Sequence, residues 1–175
     1  MGTLAGRKRS AAAVNVTASD AILLAHATFG VLATMSAVWV FVETLNAREQ
    51  NLPRIQRAAL AVAIFMVAAW ILGGYWYLHF YPAERAMILR GPWPFAHNVF
   101  METKEHLFLM TLILSFYLPV AARDKLASSA AARRMTLCVA ALIALSGLAL
   151  EGAGAVIDHG VKVELLRPSN SRARK

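Results

Sequence analysis

The sequence predicts an all-α fold: a four-helix transmembrane bundle of up-and-down topology with both termini on the same side. Three observations predict it. Hydrophobic residues make up 58% of the 175-residue chain and charged residues only 16%, well to the apolar side of an ordinary soluble domain. Mean hydropathy is +0.52. Four apolar runs, each long enough to cross a bilayer at about 20 residues per span, are separated by short charged or proline-rich breaks.

The elements follow in order. Residues 1–20 form a basic tail carrying Arg7, Lys8 and Arg9; with no small-residue cleavage site behind a short apolar core, it is expected to be retained. The membrane domain, 21–159, holds spans at about 21–44, 58–81, 95–122 and 135–157, joined by "NAREQNLPRIQR", "PAERAMILRGPWP" and "ARDKLASSAAARR". Residues 160–175 form a second basic tail. There is no internal repeat. The middle connection follows "YWYLHFY" and contains Trp93, so Tyr75, Trp76, Tyr77, Phe80 and Tyr81 read as an interfacial aromatic belt.

The net charge of +8 sits in loops and tails that flank apolar spans. That placement fits anionic lipid headgroups and topology signals and argues against nucleic acid. The lone Cys138 excludes an intrachain disulfide and a thiolate metal cluster. The expected setting is an integral, multi-pass membrane protein in contact with lipid.

Span three is unusual. Its uncharged part, Leu107 to Ala122, has 16 residues, or about 24 Å of helix against a hydrocarbon core of about 30 Å. Glu105 and His106 are therefore expected at the membrane edge or in a cavity. A charge at mid-span costs about 2.5–3.5 kcal/mol on insertion scales, so such groups should face protein or water.

Up-and-down folding gathers all five histidines on one side: His26, His79, His97, His106 and His159. Asp20, Glu102, Glu105, Glu151 and Asp158 lie there too, whereas Glu43, Glu49 and Asp124 lie at the other. Helical spacing sorts them further. Glu102 and His106 share a face at i, i+4 with Glu105 beside them, and His97 points to the opposite face. On span four, Gly147, Glu151, Gly154 and Asp158 make one stripe; on span one, His26, Gly30, Ala33 and Ala37 make another. Small-residue stripes favour close helix packing, which turns Glu151 and His26 toward the bundle.

Depth selects His26, His106 and Glu151 as the site core, with Glu102 and Glu105 as further ligands or proton carriers. Lys104 is expected to snorkel to the headgroups or to pair with an acid on another span. His79, His97 and His159 read as interfacial polar residues.

Imidazole and carboxylate suit iron, zinc, manganese or copper, and helix bundles hold such metals with inward Glu and Glu-x-x-His ligands. Here the order is Glu-x-x-Glu-His. The expectation is an intramembrane His/carboxylate site for redox or electron-transfer chemistry. It would hold either haem b on His26 and His106 or a non-haem metal on His26, His106, Glu102, Glu105 and Glu151. Two alternatives stay open. One is a metal-free proton relay, transporter or lipid-modifying acid/base enzyme in which Glu102, Glu105 and Glu151 carry protons. The other is an accessory subunit paired with further subunits of a membrane complex.

Overall fold

The computed structural model describes residues 2–123 and 125–168, with side chains from residue 18 onward. It is an all-helical bundle. Helix α1 runs Gly2–Leu45, α2 Leu52–His79, α3 Tyr81–Arg90, α4 Glu102–Ala121 and α5 Ala130–Leu165; a π-helical turn, Ala96–Met101, feeds directly into α4. Four stretches are long and apolar enough to cross a membrane: Ala18–Leu45, Leu52–His79, Ala96–Ala121 and Ala130–Leu165. Their length and composition are those of membrane spans. The basic tail and charged Asp124 of the sequence reading fall partly or wholly outside the described side chains.

Each span carries an inward stripe of buried and partly buried residues with alternating steps of four and three residues. On α1 it is His26, Gly30, Ala33, Ala37, Val40 and Thr44; on α2, Ile55, Ala59, Val62, Met66, Ala69, Gly73 and Trp76. On α5 it is Thr136, Ala140, Ile143, Gly147, Leu150, Gly154, Ile157 and Val161. The π-turn and α4 share one: His97, Met101, Lys104, Phe108, Thr111, Ser115 and Leu118. This 4–3 repeat is the seam of near-parallel helices crossing at about 20°. Helix α1 packs on α2 and α5, α4 packs on α2 and α5, and the two other pairings are diagonal. Outward positions such as Leu24, Ile113 and Leu148 are large, apolar and more than 60% exposed, as a lipid-facing wall requires.

The connections are built locally. In the first, Asn51 accepts from the Arg48 amide at 2.7 Å and donates to a Glu43 carboxylate oxygen at 2.9 Å, and Arg54 pairs with the same carboxylate at 3.3 Å. Ser129 caps α5 by accepting from the Ala132 amide, and Thr136 Oγ1 donates to the Ala121 carbonyl at 2.9 Å, tying α5 to the end of α4. In the middle connection Pro82 opens α3 and Gly91, held extended before Pro92, stops it. The connection marked by proline and charge in the sequence is thus helical over Tyr81–Arg90.

Two apolar clusters result. The larger fills the bundle from Ala33 to Val40 on α1, Ile55 to Met66 on α2, Leu112 and Leu118 on α4, and Val139 to Ile143 on α5. The smaller, with Trp76, Tyr81, Ile88, Ala96, Met101, Ile157 and Val161, closes the end where α3 lies. There Trp76 Nε1 donates to Ser19 Oγ at 3.1 Å, which places the start of the first span beside the end of the second.

Candidate functional site

Between the two clusters the stripes become polar. His26 on α1, Lys104 on α4 and Glu151 on α5 turn into the bundle, and each rests on a glycine of a facing helix. A methyl group on Gly73 of α2 would lie 2.6 Å from His26 Cε1 and Nδ1; one on Gly30 of α1 would lie 2.6 Å from Glu151 Oε1; one on Gly154 of α5 would lie 3.0 Å from Lys104 Nζ. The glycines clear the volume that three large polar side chains need between closely packed helices. One turn deeper, Thr34 of α1 touches Gly147 of α5 in the same manner, its hydroxyl donating to the Gly30 carbonyl at 3.0 Å.

His26 Nδ1 donates to the Ala69 carbonyl at 2.8 Å, since a carbonyl only accepts. That bond fixes the ring and leaves Nε2 with no hydrogen-bond partner among the described residues. Phe108 flanks the ring at 6.4 Å between centroids. Lys104 lies within electrostatic range of both His26 and Glu151, although no ion pair joins it to an acid among the described residues. Beside His26 and Lys104 a groove of about 300 Å³ opens between α2 and α4, floored by Gly73 and Gly74.

The remaining residues expected at the site lie elsewhere. Glu102, Glu105 and His106 are exposed; His106 Nδ1 donates to the Glu102 carbonyl of its own helix at 2.7 Å, and of the three only Glu105 lines the groove. The shared face of Glu102 and His106 is real, but it looks outward. The reason is the 4–3 stripe: Thr111, Ser115 and Leu118 fix the buried side of α4, and the same steps taken backward arrive at Lys104. The pair His26 and His106 is therefore not brought together. Among the described residues no group of three or more His, Cys, Asp or Glu side chains is arranged to hold a metal ion.

His97 is buried at 5% exposure and bonds to side chains instead of solvent. Arg85 Nε donates to its Nε2 at 2.8 Å, and a guanidinium can only donate. The ring is thus neutral with its proton on Nδ1, which donates to Tyr81 Oη at 2.8 Å. Burial, with Tyr77 nearby, pushes the Tyr81 phenol up, so it stays protonated. This cluster pins α3 to the π-turn and caps the polar layer. His79 stacks on Tyr75 at 4.2 Å and His159 sits 4.8 Å from the Trp93 ring, both exposed.

Above Glu151, at the end of α5, Asp158 bonds Lys162 at 2.5 Å. Glu84 of α3 is half-buried near Asp158 and Asp20. Burial, aided by those two acids, pushes its carboxyl up to about 7. In comparisons with protein families, curated proteins and solved structures, nothing matches this chain.

Proposed function

We propose that the chain is a multi-pass membrane protein that relays protons through an intramembrane acid–base site made of His26, Lys104 and Glu151. The observation that carries the reading is the seating of three partly buried ionisable side chains, from three different spans, each against a glycine of a facing helix. An ionisable group at such a position costs several kcal/mol to insert unless it is paired, hydrated or used, which makes it a functional candidate by default. An imidazole and a carboxyl, each in electrostatic range of the amine between them, form with it a set able to take up and hand on a proton. Protein reconstituted in vesicles holding a trapped pH dye, with a potassium diffusion potential as driving force, should acidify or alkalinise the lumen. Glu151→Gln should reduce the rate by at least about tenfold, while Glu49→Gln in the first connection leaves it unchanged. No protein-dependent flux under either polarity would end this reading.

A second reading, haem or another transition metal for electron transfer, is favoured by one observation. His26 donates from Nδ1 to a backbone carbonyl and so presents Nε2, the arrangement by which metal-bound histidines are commonly oriented. The inward donors would then be His26 and Glu151, with Lys104 displaced or deprotonated. Elemental analysis and a visible spectrum of protein from haem- and metal-replete cells test it: a stoichiometric metal lost in His26→Ala supports a metal centre, and a Soret band selects haem.

A further inference from the structure

The groove beside His26 and Lys104 has the chemistry of a ligand site, and we infer that it binds a membrane-soluble amphiphile whose head is a flat ring bearing a hydroxyl, of the phenol or hydroquinone class. This rests on the acid–base site proposed above, of which the groove is the lateral opening.

Four observations specify the occupant. The groove, about 300 Å³, is walled by Trp70 and Leu109, which are 49% and 52% exposed on the outer, lipid-facing surface; a ligand therefore enters from the bilayer. Its floor is flat, because Gly73 and Gly74 project no side chain and a methyl group on Gly74 would meet nothing within 4 Å. Its walls are rings, Trp70 and Phe108 among them, against which a flat head packs. Its lining includes both an acceptor, His26, whose Nε2 has no hydrogen-bond partner among the described residues, and a donor, Lys104, whose Nζ has no hydrogen bond among them. A head that both donates and accepts satisfies the two together, and one hydroxyl does this. An anionic head is disfavoured because Glu105 lines the same groove and Glu151 already interacts electrostatically with Lys104.

The test is equilibrium binding of tritiated 4-nonylphenol to the whole chain in mild detergent, with its methyl ether and nonanoate as competitors. Saturable binding is expected, with the methyl ether at least about tenfold weaker because it cannot donate to His26, and nonanoate weaker than the phenol. A Cβ at Gly74 meets nothing within 4 Å, so Gly74→Leu places its side chain in the open floor and should abolish binding while helical content and elution volume stay unchanged. His26→Phe should bring the phenol and its ether to equal affinity. Equal affinity of phenol and ether for the unaltered protein, undiminished binding in Gly74→Leu, or preference for nonanoate would each overturn the inference. Binding with these properties in protein that moves no protons would support the groove and remove the relay; proton flux without such binding would do the reverse.

Discussion

His26 of α1 lies directly over Gly73 of α2, so close that a methyl group on that glycine would sit 2.6 Å from its Cε1 and Nδ1. The contact involves the stiff ring itself, and moving the ring breaks its bond to the Ala69 carbonyl. Gly73→Ala should therefore destabilise the protein by about 1–3 kcal/mol through overpacking. Its neighbour provides the control: Gly74 has open space, and Gly74→Ala should gain up to about 1 kcal/mol from helix propensity. Thermal unfolding of both variants in one detergent decides the matter, and midpoints moving the same way would contradict the contact.

Thr34 and Gly147 should behave as one unit, since a methyl on Gly147 runs into the threonine hydroxyl and methyl. Gly147→Ala alone is expected to lower stability, and Thr34→Ala in the same chain to recover most of the loss. A double-mutant cycle should give a coupling of about 1–2 kcal/mol, within the range of side chains in contact. A coupling near zero would mean that α1 and α5 are not in this register.

Much of this was legible in the sequence because it is written in composition and in period. The four spans are set by long apolar runs that the polar breaks interrupt. The inward faces of α1 and α5 follow from their glycine and alanine stripes, which is why spacing alone turns His26 and Glu151 toward the bundle. On α4 the i, i+4 relation of Glu102 and His106 was readable, but which face it belonged to was not read from the acids themselves. The deciding signal lay further along, in Thr111 and Ser115, small polar residues that mark a packing side and extend by 4–3 steps to Lys104. The partners of His97 were not legible at all: Tyr81 and Arg85 reach it only because α3 folds back over the π-turn.

Removing the hydroxyl in Tyr81→Phe leaves the His97 Nδ1–H buried without its acceptor. The expected cost is about 1–3 kcal/mol, seen as a lower unfolding midpoint, with proton flux per folded molecule unchanged. A loss of flux at full stability would move the Tyr81–His97–Arg85 cluster from holding α3 to taking part in transport.

Glu84 makes stability depend on pH. Its carboxyl, ordinarily near 4.5, is pushed up to about 7 by burial and by Asp158 and Asp20, so the folded state binds its proton more tightly than the unfolded state. The stabilisation is complete below about 4.5 and is lost as pH rises through about 7. The unfolding midpoint should fall across that window, and Glu84→Gln should flatten the fall and leave the protein more stable than the parent at pH 8. An unchanged slope in the variant would assign the pH dependence to other groups.

Lys104 and Glu151 should be more costly to remove singly than together. Each is partly buried between helices, Lys104 over Gly154 and Glu151 over Gly30, within electrostatic range of the other. Lys104→Met keeps the length of the side chain but strands a carboxyl beside an apolar stripe, and Glu151→Gln likewise strands an ammonium; an interior charge that loses its counterpart is strongly destabilising. In Lys104→Met with Glu151→Gln no such charge is left, and the methionine packs on the same glycine. The double variant should unfold at a higher temperature than either single variant, with a coupling of about 1–3 kcal/mol, and should carry no proton flux. Additive losses would show that the two groups act independently.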